Sequence, residues 1–181
     1  GLRLGEVRPE LSGAEPSAFL PEHPLSSVRA RHTIGLGDPL TPAEVNEDNR
    51  ASDSLPLDLE TCIRTYGLTH FKIKVCGNLD LDLPRLEALA ELLGPGALFT
   101  LDGNEQYAGI GAFREHWEVW REKAKIRALL DSGLLLVEQP AHRDESFSPS
   151  VSTDLADWPD HPAFIIDEAD GGIDALPRAL T

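Results

Sequence analysis

The sequence contains no methionine and only two cysteines, Cys62 and Cys76. The cysteines fall in segments predicted as a helix and the end of a strand, without a metal-type spacing, so we expect both thiols to be reduced and structural. Because position 1 is not methionine either, the chain is either processed or a piece of a longer protein, and we favour the piece. A disulfide framework is not expected.

Long apolar runs and an excess of basic residues are also missing. No apolar run approaches the length of a membrane span, and no N-terminal segment combines basic residues, an apolar core and a cleavage site. Lys and Arg number 16 against 31 Asp and Glu, for a net charge of −15. This charge disfavours a nucleic-acid partner and leaves cations and small molecules. We therefore expect a soluble cytoplasmic protein without a membrane partner.

Prolines separate an irregular lead-in, residues 1–27, from a regular pattern over residues 28–181. Residues 37–56 are predicted to form a long acidic loop, either functional or disordered. Strands that are apolar on both faces and alternate with helices predict a parallel α/β sheet. The predicted strands are 28–36, 70–75, 97–101, 134–137 and 164–166. The predicted helices are 57–66, 84–93, a longer one that ends near Gly133, a short one around Asp154, and 173–180. The longer helix carries Phe113, Trp117 and Trp120, which we interpret as core packing.

The strand at residues 70–75 carries an unusual pair of lysines. Its alternation points Phe71, Ile73 and Val75 to one face, and Lys72 and Lys74 to the other. Two ammonium groups on one face are costly inside a protein unless carboxylates, a metal site or an anionic substrate lie nearby. The pattern therefore predicts a site in front of Lys72 and Lys74.

Three carboxylates can supply that site, because Asp102, Glu138 and Asp167 each follow an apolar strand. The carboxyl ends of parallel barrel strands form the active-site face. Any one of the three side chains could simply cap the following helix, as Asp often does. All three together with the lysine pair favour a site for a hard divalent cation such as Mg²⁺, which prefers oxygen ligands.

This combination predicts proton abstraction next to a carboxylate. The like charge of Lys72 and a nearby dication would lower the pKa of Lys74, so that Lys74 could act as a base. Mg²⁺ and Lys72 would then hold the enediolate that forms when the α-proton leaves.

Four short motifs, in this order and at the spacing of barrel units, carry a family resemblance. The sequence resembles the enolase superfamily, specifically its mandelate racemase and muconate-lactonizing branch, whose sites combine a lysine base with Mg²⁺. The motifs are Lys72-Ile73-Lys74, Asp102-Gly103-Asn104, Glu138-Gln139-Pro140 and Asp167-Glu168.

The resemblance implies a (β/α)8 TIM-type barrel, of which residues 28–181 would be about the first five units. Residues 1–27 would be the tail of an N-terminal capping domain that is otherwise largely absent. We expect no turnover by residues 1–181 alone, because the family's further acid or base groups lie on later strands. The implied substrate is a small-molecule carboxylate, and the full-length protein could be a homo-oligomer.

The resemblance also implies a role for each motif residue. Lys74 would be the base, Lys72 would orient the substrate carboxylate, and Asn104 would contact the substrate. Asp102, Glu138 and Asp167 would bind Mg²⁺. The reaction would be of racemase, dehydratase or cycloisomerase type.

A second class of function stays open. A fold is often retained in proteins that have lost its original activity. The chain could therefore be a non-catalytic α/β domain, or a degenerate barrel module that binds a metal or a partner.

Overall fold

A computed structural model describes residues 3–46, 48 and 55–179. The strands are β1 (His32–Ile34), β2 (His70–Lys74), β3 (Leu98–Asp102), β4 (Leu134–Glu138) and β5 (Phe164–Ile165). The α-helices are α1 (Leu4–Val7), α2 (Leu59–Tyr66), α3 (Leu79–Leu92), α4 (Ile110–Glu122), α5 (Ala124–Gly133), α6 (Pro149–Ala156) and α7 (Ala175–Ala179). Short 3-10 helices span Pro9–Leu11, Pro16–Phe19 and Pro42–Glu44.

The five strands form one parallel sheet in the order β1-β2-β3-β4-β5. Helices follow β2, β3, β4 and β5, so the predicted α/β class with successive barrel units is confirmed. The register aligns Lys74 with Asp102, and Asp102 with Glu138. Neighbouring strands therefore deliver these three residues to the same edge of the sheet.

The hydrophobic core lies between the sheet and its helices. Phe71, Ile73 and Val75 are buried as predicted, while Lys72 and Lys74 occupy the opposite face. The aromatic stripe of α4 is also buried, with Phe113 and Trp120 fully enclosed. The interpretation of that stripe as core packing is confirmed.

Two predicted helices have different bounds. The structure starts α3 at Leu79, five residues before the predicted start at Pro84, which therefore lies inside the helix. The earlier start is stabilised by Asn78, whose side chain accepts a hydrogen bond from the amide of Asp80 at 3.0 Å. Asp80 and Asp82 in the first turn add favourable interactions with the helix dipole.

The predicted long helix that ends near Gly133 is in fact two helices, α4 and α5, which Lys123 separates in an extended conformation. Trp120 and Ile126, six positions apart, are both 0% exposed. On one straight helix these side chains would point about 120° apart. The break allows both to reach the core.

The remaining elements differ mainly in length. β1, β5 and α7 are shorter than their predicted segments, and α6 contains Asp154 as predicted. Residue 180 of the predicted last helix lies outside the described residues, as do residues 1–2 of the lead-in and 47 and 49–54 of the predicted loop. Both cysteines are free. Within the described residues, no helix has the length and apolar content to cross a membrane.

Close packing at the end of α5 leads to a stability prediction. A Cβ atom on Gly133 would lie 2.3 Å from the backbone oxygen of Ala97, a contact that requires the backbone to move. We expect Gly133→Ala to lower the free energy of unfolding by roughly 1–3 kcal/mol, measured by urea denaturation. Gly37→Ala is the control, because a Cβ there meets no atom within 4 Å, and it should change stability by less than about 0.5 kcal/mol. Equal effects of the two substitutions would contradict this interpretation.

Candidate active site

A buried cluster of opposite charges lies at the carboxyl ends of β2, β3 and β4. Lys72 Nζ is 2.7 Å from Asp102 Oδ2 and 2.6 Å from Glu138 Oε1. Asp102 is 0% exposed and Glu138 is 5% exposed. We call Lys72, Asp102 and Glu138 the charge cluster. The prediction that the lysines of β2 face the three carboxylates is confirmed at Asp102 for both lysines and at Glu138 for Lys72.

The charge cluster holds Lys72 in its protonated form. Burial lowers the pKa of this ammonium group, but the contacts with Asp102 and Glu138 raise it more, so that the pKa lies above its ordinary value. Lys72 therefore provides a fixed positive charge between the two carboxylates.

Lys74 is the more accessible lysine of the pair. Its side chain is 33% exposed, and its Nζ lies 3.5 Å from Asp102 Oδ2. The same Nζ donates a hydrogen bond to Asn104 Oδ1. These two contacts hold the Lys74 ammonium beside Asp102, while a third of the side chain remains accessible to solvent.

Asn104 connects Lys74 to the loop after β5. Its backbone has φ of 41°, and its amide donates to Asp102 Oδ1 at 3.1 Å. Its Nδ2 donates to Glu168 Oε1 at 2.9 Å. The structure thus places Asn104 at the predicted site and adds Glu168, which had no assigned role. The neighbouring Asp167 was the sequence signal that could have indicated Glu168.

Asp167 is less closely associated with the site than predicted. The residue is exposed, and its backbone amide donates to Gln139 Oε1 at 2.9 Å. Within the described residues, no three His, Cys, Asp or Glu side chains are grouped so that they could hold a metal ion. Two of the three predicted ligands, Asp102 and Glu138, do lie together, with the Lys72 ammonium between them.

The oxygen atoms of this region nevertheless fit a hard cation. Asp102 Oδ2, Glu138 Oε2 and Glu168 Oε2 are buried, and none accepts a well-directed hydrogen bond from the part of the chain that the structure describes. Oxygen-only ligand sets are those that Mg²⁺ prefers. Glu138 Oε2 is therefore an acceptor atom separate from the oxygen that pairs with Lys72, whereas Asp102 Oδ2 is the same oxygen that faces Lys72 Nζ and would be shared with a cation.

Arg31 contributes a further positive charge that sequence reasoning missed. It donates from Nη1 to Thr100 Oγ1 at 3.1 Å, and its Nη2 lies 3.8 Å from Glu138 Oε2. Arg31 belongs to no motif and precedes β1 in the chain, so only the tertiary structure brings it to β3 and β4. The site consequently contains three cationic groups near two buried carboxylates.

An ion pair at the rim joins the loops after β3 and β4. Arg143 contacts Glu105 through three donors, with Nη2 2.6 Å from Oε2, Nε 2.8 Å from Oε1 and the amide 2.7 Å from Oε1. The hydrogen bonds from the Arg143 side chain lower the pKa of Glu105 to about 2. Glu105 therefore keeps its charge throughout the neutral range and holds the two loops together.

Comparison with known proteins agrees with this geometry. A model of the enolase C-terminal domain-like family matches residues 58–153, which is more than half of the chain. Among solved structures, the chain is similar to a mandelate racemase/muconate lactonizing protein from Herpetosiphon aurantiacus, with 20% identity and a TM-score of 0.55. That similarity covers 83% of this chain and 36% of the other, and at this identity it shows a common fold.

A second solved structure, a dipeptide epimerase from Enterococcus faecalis V583, matches with 21% identity and a TM-score of 0.46. The match covers 78% of this chain and 33% of that chain. The chain thus spans about a third of the length of the solved structures it matches. A search of curated proteins returned no match.

Proposed function

The chain belongs to the enolase C-terminal domain-like family, as its motifs indicated, and from this membership we propose that its strand ends remove the proton α to the carboxylate of a small-molecule substrate. The proposal rests on one observation: both lysines of β2 form ion pairs with Asp102, and Lys72 also forms one with Glu138. Family membership supports catalysis of racemase or epimerase type. Dehydration and cycloisomerisation begin with the same proton transfer, so they belong to the same proposal.

Lys74 is the proposed base. It is the more exposed of the two lysines, and its hydrogen bond to Asn104 fixes the direction of the Nζ atom. A base must reach the α-carbon of the substrate while remaining correctly oriented. The amide of Asn104 provides that orientation, and it also offers a polar contact to the substrate.

Lys72 is proposed to orient the substrate carboxylate. Its ammonium remains protonated, so it can attract an anionic group to the charge cluster. Arg31 adds positive charge beside Glu138. Together these cations favour binding of an anion in spite of the strongly acidic sequence.

Asp102, Glu138 and Asp167 are the proposed ligands of Mg²⁺. The buried oxygens of Asp102 and Glu138 support the first two assignments, and the third rests on the position of Asp167 directly after the β5 segment. When bound, Mg²⁺ would neutralise the negative charge that develops on the substrate carboxylate.

A non-catalytic module is the second candidate. The observation in its favour is that Lys72 already pairs with Asp102 and Glu138, with Lys74 and Arg31 close by, so the charge cluster could be purely structural. In that case the site would need no cation. Mg²⁺ binding at these carboxylates distinguishes a cation site from a purely structural ion pair. A non-catalytic module could still bind a metal, so exchange of a substrate's α-proton with solvent is needed to distinguish an enzyme from such a module.

Isothermal titration tests whether the chain binds Mg²⁺ at these carboxylates. We expect the chain to bind one Mg²⁺, and we expect Asp102→Asn to weaken this binding at least about tenfold, because carboxylates are the principal ligands of the ion. Asp160→Asn is the matched control, since it makes the same change at an exposed residue remote from the charge cluster. Undetectable binding by the unmodified chain, or equal loss in both variants, would contradict the proposed metal site.

A further inference from the structure

Gln139 is a buried amide whose hydrogen-bonding capacity is fully used. The residue is 2% exposed, and its backbone has φ of 36°. Its Nε2 donates to Ala141 O at 2.8 Å and to Ser146 Oγ at 2.7 Å. Its Oε1 accepts hydrogen bonds from the amides of Asp167 at 2.9 Å and Ala169 at 3.1 Å. Two donors and two acceptor positions are all that a glutamine side chain offers.

These contacts join two different loops. Ala141 and Ser146 lie in the segment after β4, whereas Asp167 and Ala169 follow β5. The backbone of Gln139 extends the connection, because its carbonyl accepts from the amide of Glu105 in the loop after β3 at 2.9 Å. One residue therefore links the carboxyl ends of three neighbouring strands.

Gln139 also connects residues of the proposed site. Glu138 precedes it in the chain, and Asp167 and Glu168 belong to the segment that its Oε1 holds. Glu168 in turn accepts a hydrogen bond from Asn104, the partner of Lys74. Movement of the segment after β5 would thus change both the proposed third ligand and the contacts of the proposed base.

We propose that Gln139 is a positioning residue, which fixes the Asp167–Ala169 segment against the end of β4 and thereby sets the distance of Asp167 and Glu168 from Glu138. The expected effect on metal binding rests on the proposed function. The fixing of the Asp167–Ala169 segment rests on the hydrogen bonds alone. Residues that orient the ligands of a metal typically change affinity by about 10–100-fold when replaced.

The chemistry of the amide gives two informative substitutions. Gln139→Met keeps the length and approximate size of the side chain but removes all four hydrogen bonds. Gln139→Glu keeps an oxygen that can accept from Asp167 and Ala169 but loses the two donors. If Oε1 is what holds the segment, the two variants must differ at the amides of Asp167 and Ala169.

Amide hydrogen exchange by NMR measures this directly on the chain. We expect Gln139→Met to accelerate exchange at Asp167 and Ala169 at least about tenfold, and Gln139→Glu to retain most of the protection. The amides of Val137 and Gln139, which bond to Ala163 and Ile165 in the β4 to β5 pairing, report whether the sheet remains folded. Unchanged protection at Asp167 and Ala169 in Gln139→Met, or equal loss in both variants with the sheet amides intact, would overturn the proposal.

The consequence for the site is tested by Mg²⁺ titration of the same variants. We expect Gln139→Met to weaken Mg²⁺ binding about 10–100-fold, while Ser146→Ala, which removes one partner from the donor side only, changes it less than about threefold. Normal Mg²⁺ affinity in Gln139→Met would overturn the role of Gln139 in positioning the ligands. If the unmodified chain binds no Mg²⁺, the proposed function fails, and the exchange rates at Asp167 and Ala169 alone decide whether Gln139 fixes the segment.

Discussion

Replacement of Lys74 by alanine is expected to slow the exchange of a substrate's α-proton with solvent deuterium by at least about 10²-fold, because a positioned base contributes about 10²–10⁴ to such a transfer. The fold should be little affected, since the side chain is 33% exposed and its nearest carboxylate contact is 3.5 Å long. Exchange is followed by proton NMR in D2O with a panel of α-substituted carboxylates that includes mandelate. Because this chain spans 36% of a solved relative, the assay uses a protein that holds these residues in a complete barrel.

Lys74→Arg separates a base from a positive charge. Arginine keeps the charge and can still donate to Asn104, but it does not lose its proton under physiological conditions. We expect exchange to be lost in Lys74→Arg as well. Exchange near the unmodified rate in Lys74→Arg would mean that Lys74 contributes only its charge, and another residue would have to be the base.

Replacement of Lys72 by methionine is expected to lower the free energy of unfolding by roughly 3–5 kcal/mol, because it removes the cation closest to two buried carboxylates. Asp102 is 0% exposed and Glu138 is 5% exposed, so water cannot solvate these charges as it would at the surface. Urea denaturation of the chain without divalent cations measures the loss. The control is Lys125→Met, which breaks an ion pair with Glu91 whose side chains are 60% and 63% exposed. That substitution should lower the free energy of unfolding much less, because water solvates both charges of this pair.

Adding Mg²⁺ to the Lys72→Met variant also tests whether the site binds a cation. If the carboxylates of Asp102 and Glu138 can hold a cation, adding Mg²⁺ should restore more stability to Lys72→Met than to the unmodified chain, since a bound ligand stabilises the folded state. A loss no larger than that of Lys125→Met would contradict the burial of the charge cluster. A large loss that Mg²⁺ does not reduce would favour the non-catalytic candidate.

The sequence was sufficient for the elements that depend on local pattern. The alternation of Phe71, Lys72, Ile73 and Lys74 defined the faces of β2, and the structure confirms them. The spacing of Phe113, Trp117 and Trp120 likewise identified a buried helix face. These features could be predicted because side-chain direction follows from the period of a strand or a helix.

Features that depend on tertiary contacts could not be predicted in the same way. The break at Lys123 reflects packing of Trp120 and Ile126 against one core, which no local period reveals. Arg31 and Glu168 join the site through partners 69 and 64 positions away in the chain. Their roles become visible only when the strands are placed side by side.

The proposed metal site could be predicted from the sequence only in part. The rule that parallel strands deliver their carboxyl ends to one edge placed Asp102 and Glu138 together, as the register shows. It did not predict that Lys72 would lie between them, or that Asp167 would be exposed. Side-chain direction after a two-residue strand depends on the loop that follows, and here Gln139 contacts that loop.

The proposed function requires that a divalent cation and the proposed base Lys74 share one site at the strand ends. A crystal structure of the chain grown with Mn²⁺ in place of Mg²⁺, with anomalous scattering to locate the ion, tests this claim most directly. We expect one Mn²⁺ bound by carboxylate oxygens of Asp102, Glu138 and Asp167 at coordination distance, with Lys74 facing the same space. An anomalous map without a peak beside Asp102 and Glu138, while the Lys72 ion pairs persist, would contradict it.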